Sequence, residues 1–584
     1  MSRSAKYIYE FGPFHLDTVE RRLLRERQHV PLTPKAYDIL LLLVQNNGHM
    51  LEKDELMKEV WPDSFVEEGN LTRYISTLRK TLGRNVNGQQ YIETISKRGY
   101  RFVAQVSESQ VKSAEILTGR LQSPPALRSI AVIPFNLIGA ESGDEYLGLG
   151  MADALITKLS NIRQIITRPT SAVRKYLSHR QDFITLGREL RVDALLEGSV
   201  QRRDEHIRVT VQLVNVQSET TLWAEKFNEK FTDLFALEDS ISEQVAETLM
   251  LKLTSEEKKR LTKRYTDDIE AYQAYLKGRY FWNKRTREGI KKGIGYFRQA
   301  IEIDPLYALA YAGLADSYNL LAIYGDASPR EIFPKAKAAA AKALEIDETL
   351  AEAHTSLAFI LHRFDWDWAE ADREFRRSIA LNPDYPTTHH WYGNYLMTMG
   401  RETEAMEEME RAQQLDPLSL IIDGNIGNFL YVMRRYDRAI NHFQKMLEME
   451  ANFHGTHSNL GNVYEQKGMY EEAIAEFEKA LVLDANLSAR AWLGHAYAIA
   501  GKRGKARKII NDLKERAKKY YVSPYDFAII YLGLGERDEA FALLEKAYEE
   551  RNDALVWIKF DPRLDSIRTD TRFRDLMQRV GLAP

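Results

Sequence analysis

Cysteine is missing altogether from the 584 residues. That excludes disulfides, thiolate zinc sites and cysteine nucleophiles, and it fits a reducing compartment. Long apolar runs are missing too. No stretch reaches the roughly 18 uninterrupted apolar residues of a membrane span, and the opening MSRSAKYIYEFG has no apolar core of signal-peptide length. No membrane partner and a cytoplasmic location are expected. A global charge excess is also absent: the formal net charge is -3, so any field that attracts a polyanion has to be local. Catalytic signatures are lacking. There is no G-x-x-x-x-G-K-[ST], no H-E-x-x-H and no G-x-S-x-G, and Gly501-Lys-Arg-Gly-Lys505 has the wrong spacing for a phosphate loop. Neither an enzyme nor a cofactor is expected. With 44% hydrophobic residues, the chain can build packed cores in several domains.

The most informative stretch is Asn70 to Leu82, NLTRYISTLRKTL. Leu71, Ile75, Leu78 and Leu82 fall at i, i+4, i+7 and i+11, one narrow apolar stripe of a helix. Arg73 and Lys80 lie nearly opposite, flanked by Ser76 and Thr77, with Asn70 beside Thr77 and Arg79 nearer the edge of the stripe. An ordinary surface helix would show the same stripe, so the neighbourhood decides. Short strands are expected at Tyr7 to Phe11, Phe14 to Arg25 and Gln28 to Leu32. Thr33-Pro34 opens a helix through ILLLLV that stops at Asn47-Gly48, and a second helix runs from about Lys53 to Trp61. A loop, PDSFVEEG, follows. After the Asn70 helix come strands Tyr91 to Ile95 and Tyr100 to Ala104, joined by Ser96-Lys97-Arg98-Gly99. Between Asn70 and Val106 seven cations (Arg73, Arg79, Lys80, Arg84, Lys97, Arg98, Arg101) face one acid, Glu93. A basic helix followed by a basic hairpin tip is an electrostatic footprint for a phosphate backbone.

LTPKAYDILLLLVQNNGHMLEKDELMKEVWPD, NLTRYISTLRKTLG and YIETISKRGYRFVA together resemble the winged helix-turn-helix of OmpR/PhoB-type regulators, also found at the front of CadC- and ToxR-like proteins. The resemblance covers about residues 6–106, and the domain is taken as 1–106. It implies that Asn70–Leu82 is the recognition helix and Ser96–Gly99 a wing reaching the minor groove. Arg73, Ser76, Thr77 and Lys80 are then the candidates for base readout, Arg79, Lys97 and Arg98 for phosphate or minor-groove contact, and Asn70 and Thr72 complete the set. It also implies double-stranded DNA as partner, with a head-to-tail dimer on tandem sites. OmpR-type proteins carry a receiver domain in front and CadC-like ones a membrane span behind. Neither is expected here, so the signal has to arrive otherwise.

Residues 107–127 read as a polar linker ending in SPPALR. From 128 to 252 the order IAVIPF, DEYLGLGMADALITKLS, VDALLEGSVQRR, IRVTVQLVN, TLWAEKF and a final helix gives an α/β unit. That order resembles the TolB-N-like domain, which some bacterial adenylate cyclases share. No cyclase domain accompanies it here. Gly148-Leu-Gly150 lacks the third glycine and the preceding strand of a dinucleotide site, and reads as a helix start in close backbone packing.

After residue 268 the chain repeats itself. Helix-ending signatures recur at Asp304, Asp347, Asn382, Asp416, Glu450 and Asp484, separated by 34 or 35 residues after a first interval of 43. Gly393, Gly427 and Gly461 keep the same period, as do Ala405, Ala439 and Ala473, with Phe443 and Phe477 four residues behind the last two. This is the tetratricopeptide pattern, with seven or eight repeats over 268–560, the extra residues near GDASPREIF in a hairpin loop, and 561–584 as a cap. Such a stack offers a concave face to a protein or peptide. Trp366, Trp368 and Trp391 are read as packing residues. His389, His390, His454 and His457 are read as ordinary surface or groove histidines, because no carboxylate shares their spacing; no metal is expected.

The expected fold is multidomain α+β, mainly α: an N-terminal winged helix-turn-helix, a central α/β domain and a C-terminal tetratricopeptide solenoid. The expected function is sequence-specific transcriptional regulation by a nucleoid-associated protein. The repeats would engage a protein or peptide, with RNA polymerase a candidate, and would support oligomerisation. A repeat-based scaffold, and a small-molecule sensor acting through the central domain, are the alternatives.

Overall fold

The structure, a computed structural model, describes residues 7–18, 22–25, 28–30, 32–60, 68–84, 89–96, 98–110, 127–139, 144–174, 176, 183–251, 253–323, 327–484 and 487–582. It divides into two compact units, one of residues 1–126 with 221–224 and 243–252, the other of 127–220, 225–242 and 253–584.

The first unit opens with β1 (Tyr7–Phe11), β2 (Phe14–Asp17), β3 (Arg22–Arg25) and β4 (Gln28–Val30). Three helices follow: α1 (Pro34–Gln45), then, after β5 (Met50–Glu52), α2 (Lys53–Val60), then α3 (Glu68–Leu82). The α2–α3 loop lies outside the described residues. β6 (Ile92–Ile95) and β7 (Gly99–Phe102) form a hairpin that β5 extends to three strands, in the order β5-β7-β6. Ser107–Gln110, expected to open the linker, is instead a strand, β8, paired antiparallel with β1 from Tyr7↔Gln110 to Glu10↔Ser107. A polar tetrapeptide carries no strand signal of its own. The open edge of β1 supplies the hydrogen bonds that recruit it. The core is aromatic where sheet meets hairpin: Phe11, Phe14, Tyr91 and Phe102 have ring centroids 5.0 to 6.1 Å apart.

The second unit begins with the α/β domain. Its strands are β9 (Ser129–Val132), β10 (Asn136–Leu137), β11 (Ile166–Thr167), β12 (Ala194–Arg203), β13 (His206–Asn215) and β14 (Thr220–Lys230), ordered β11-β9-β12-β13-β14 with β10 beside β12. β9 runs parallel to β11 and β12, whereas β12 and β13 form a long antiparallel pair. Helices α4 (Leu147–Leu159), α5 (Thr170–Val173), α6 (Phe183–Glu189), α7 (Leu234–Thr248) and α8 (Ser255–Leu261) complete it. The Gly148 reading holds. A Cβ there would sit 2.2 Å from the Phe135 carbonyl oxygen, so the glycine serves close packing.

Eight helical hairpins follow among the described residues, from Ile269–Asn283 with Arg287–Ile303 to Pro524–Gly533 with Arg537–Glu549. Phe443 and Phe477 are fully buried, and a Cβ on Gly427 or Gly461 would fall 2.4 or 2.7 Å from their rings. The 34-residue period of Gly and Phe is thus one of steric fit. The extra residues of the first long interval do not all form a loop: from Pro329 onward they lengthen the helix Pro329–Ile346.

The histidines are braces. His354, His389 and His457 each place Nδ1 2.5 Å from a glutamate (Glu374, Glu408, Glu476) and Nε2 within 2.9 Å of a loop carbonyl. Asp423 and His442 occupy the same two places in the intervening repeat with the types exchanged, and His442 Nε2 lies 2.8 Å from the Asp423 carbonyl oxygen. His389 and His457 are therefore interior groups rather than surface ones, with partners on the neighbouring helix that sequence spacing could not reveal. Of the tryptophans, Trp391 packs on Phe359 with centroids 4.3 Å apart, and Trp366 joins the C-terminal core against Tyr548.

The solenoid does not stay open. Arg330 Nε donates to the Glu549 carbonyl (2.5 Å), Arg434 pairs with Asp565 (2.8 Å), and the Arg551 guanidinium lies 4.2 Å above the Trp366 ring. Residues more than 130 apart in sequence thus close the superhelix on itself. The α/β domain fills part of its hollow. Arg279 grips buried Asp153 of α4 through two bonds of 2.8 and 3.0 Å, and Arg168 donates to the carbonyls of Gln414 and Leu415 at the end of the helix Glu402–Leu415. Ser171 Oγ donates to Asp416 (2.5 Å).

Candidate nucleic-acid interface

Helix α3 buries Leu71, Ile75, Leu78 and Leu82, each at most 2% exposed. At about 2 kcal/mol per fully buried aliphatic side chain, this stripe fixes the helix's rotation. Asn70, Thr72, Arg73, Ser76, Thr77 and Lys80 are left exposed. Packing behind α3 is set by α1 and α2. Thr33 caps α1 by accepting from the Ala36 amide, and Lys35 Nζ donates to the Val60 carbonyl at the end of α2 (2.7 Å). That contact joins the first helix to the end of the second, where a cation is favoured.

Among the described residues, Arg73, Lys80 and Arg98 have no ion-pair partner. Thr77 Oγ1 donates back to the Arg73 carbonyl (3.1 Å), which leaves its oxygen lone pairs and methyl outward. Thr72 Oγ1 is 3.5 Å from the Tyr100 hydroxyl, so it sits at the seam between helix and hairpin. Arg79 is different. Its Nε donates to the Ile92 carbonyl (2.9 Å) and its Nη2 to Thr94 Oγ1 (2.6 Å), with the guanidinium 5.9 Å over the Tyr100 ring. These bonds tie α3 to β6, and the geometry makes Arg79 a brace of the interface before anything else.

The wing is a tight turn, with the Arg98 amide donating to the Ile95 carbonyl (3.0 Å) and the Arg98 carbonyl accepting from Lys53 (3.2 Å). Gly99 is compulsory here. A Cβ would lie 1.9 Å from the Leu51 carbonyl oxygen, because β7 crosses β5 at that point. Arg98 is exposed at the tip; Lys97 lies outside the described residues. The sequence reading missed Gly99, Thr94 and Tyr100 as supports of the site. Only the glycine after two cations in a turn left a visible trace.

Residues 27–102 match the family described as Transcriptional regulatory protein, C terminal. Residues 126–244 match the HilA/YgeH-like transcriptional regulator, second domain. Tetratricopeptide repeat families match residues 386–417 and 418–486. The transcriptional regulator HilA of Salmonella typhimurium is 24% identical over 420 residues, 70% of either chain. The transcriptional activator CadC of Escherichia coli is 35% identical over 108 residues, 18% of this chain and 20% of that one. A putative adenylate cyclase of Rhizobium meliloti is 28% identical over 239 residues, 41% of this chain and 40% of that one. No helix among the described residues is long and apolar enough to cross a membrane. The chain is a transcriptional regulator that joins an OmpR/PhoB-type winged-helix DNA-binding domain to a HilA-like second domain and C-terminal tetratricopeptide repeats.

Proposed function

We propose that α3 enters the major groove and reads bases with Arg73, Ser76, Thr77 and Lys80. Asn70 and Thr72 stand at its entry end, and Arg98, together with Lys97, places the wing in the adjoining minor groove. The observation that carries this reading is the exposed row Arg73, Ser76, Thr77 and Lys80, opposite a stripe buried to 2% or less and beside a cationic hairpin tip. Arginine and lysine suit guanine edges and phosphates, and hydroxyls serve either. Arg79 acts chiefly by holding α3 to the hairpin. The resemblance to OmpR/PhoB-type domains supports head-to-tail dimers on tandem sites and RNA polymerase as a second partner. Exposed Met449 and Leu483, at equivalent ends of consecutive hairpins, offer a protein partner an apolar foothold on the repeats. The chain acts as a regulator in the cytoplasm rather than as a cyclase.

Selection from random duplexes tests this. The full chain should enrich one motif, and Arg73→Ala should relax one position of it. Lys80→Ala should reduce the slope of log affinity against log salt by about 1 if it meets a phosphate. Failure to enrich any motif, with binding indifferent to both substitutions, refutes the reading.

A further inference from the structure

The closed solenoid and the α/β domain within it enclose a cavity of about 1040 Å³, lined by both. That is the volume of a small-molecule site, at the upper end of the usual range. Its lining is acidic. Nine carboxylates face five arginine and lysine side chains; Asp153 is committed to Arg279, and Asp384 and Asp553 pair with Arg411 and Arg363 outside the lining, which leaves six carboxylates against four cations. The acids come from separate hairpins, among them Asp316, Glu352, Asp416, Asp526 and Asp553. Aromatic faces stand between them at Tyr385, Trp391, Phe453 and Tyr521, while the Trp282 ring already carries the Arg285 and Arg279 guanidinium groups at 3.7 and 4.6 Å. Carboxylates interleaved with aromatic rings recognise organic cations, by ion pairing and by attraction to the negative ring face.

A second feature is independent of charge. Asp416 is 3% exposed and leaves Oδ1 without a hydrogen-bond partner, while Asn283, 2% exposed, leaves Nδ2 without one and Trp282 leaves Nε1. All three residues line the cavity. Buried polar atoms are nearly always paired, and these ask for a donor and for an acceptor. Several inner helices, such as Leu420–Val432 and Pro524–Gly533, also start at the cavity, and their positive ends offset part of the acidic charge. Ser419 and Ser523 already cap those two by side-chain hydrogen bonds. The offset is incomplete: burial pushes Asp316 up to about 6 and Asp526 up to about 7, which marks carboxylates short of positive partners.

We propose that this cavity is a binding site for a small organic cation that carries amine or guanidine groups and at least one carbonyl acceptor, the chemistry of a basic amino acid derivative. The ammonium or guanidinium meets the carboxylates of Asp316 and Asp526 against the aromatic faces, and the carbonyl meets the donors of Asn283 and Trp282. The site lies within the second unit and does not depend on how the winged helix reads DNA.

Titration calorimetry and thermal melting of the full chain with L-argininamide test it, with citrate as the anionic control. Saturable binding with one site per chain is expected, together with a melting temperature that climbs with probe concentration. Asp316→Asn/Asp526→Asn, isosteric and without charge, should fold as well as the native chain and weaken the probe at least tenfold. Absence of saturable binding by the probe overturns the proposal. So does stabilisation by citrate in its place, or equal binding by the double variant. Asn283→Leu supplies a second reading: it removes a donor but no charge, and should weaken L-argininamide while leaving agmatine, which keeps the guanidine and the amine but lacks the carbonyl group, unaffected. Equal loss for both overturns the assignment of the carbonyl.

Discussion

Arg79→Ala separates bracing from reading. Arg79 makes two charge-assisted hydrogen bonds, to the Ile92 carbonyl (2.9 Å) and to Thr94 Oγ1 (2.6 Å). Bonds to a charged donor are worth about 1.5–3 kcal/mol each. The Thr94 end is open to solvent, which discounts its share, so the loss comes to about 2–3 kcal/mol. For a domain of this size that lowers the melting temperature by roughly 10 °C or more. The fragment 1–126, which holds its own core, is the material for thermal unfolding, paired with binding to the selected duplex. Arg73→Ala should give the opposite pattern. An exposed side chain without a protein partner changes stability by about 0.5 kcal/mol or less, whereas a lost base contact costs about 1–3 kcal/mol of binding. At 25 °C Arg79→Ala should stay folded and lose less affinity than Arg73→Ala. If it melts like the native fragment and loses affinity as Arg73→Ala does, Arg79 is a DNA contact and the bracing argument is wrong.

Other outcomes follow from the second unit. Arg279→Ala leaves Asp153 buried without its partner and should cost about 3–5 kcal/mol, seen as a lower urea midpoint of the full chain. Arg279→Met/Asp153→Leu should recover most of that, because the pair's net worth is small once desolvation is counted. Gly427→Ala forces a methyl against the Phe443 ring and should cost about 1–3 kcal/mol by the same measurement. The pH dependence has a definite sign. Asp316 and Asp526 are raised in the folded chain, to about 6 and about 7, so an unfolded chain ionises them first and stability falls as pH rises from about 4 towards 7. Asp561 is lowered to about 2 by the Arg563 guanidinium, and its contribution, present above about 4, is lost as pH drops towards 2. Denaturation midpoints across pH 4 to 7 should flatten in Asp316→Asn/Asp526→Asn, and an unchanged profile contradicts the assignment.

Period and charge are local properties, and the amino-acid sequence by itself determined whatever depends on them. The stripe Leu71, Ile75, Leu78 and Leu82 could bury only one side of α3, so the outward row was legible before any fold was known. The 34-residue recurrence of glycine and phenylalanine likewise announced stacked hairpins, because Gly427 and Gly461 admit the Phe443 and Phe477 rings and Gly393 admits Met409 in the same way. What the tertiary structure alone decided are contacts between residues far apart in the chain. β8 is a strand only because β1 offers an edge. Arg79 is a brace only because Ile92 and Thr94 come within reach. His389 and His457 were indistinguishable from surface histidines until Glu408 and Glu476 stood beside them on the next helix. The closing of the solenoid on itself and around Arg168 and Asp153 has no local signature at all. It rests on single side chains reaching across 126 to 246 residues, and no repeat period encodes which of them will meet.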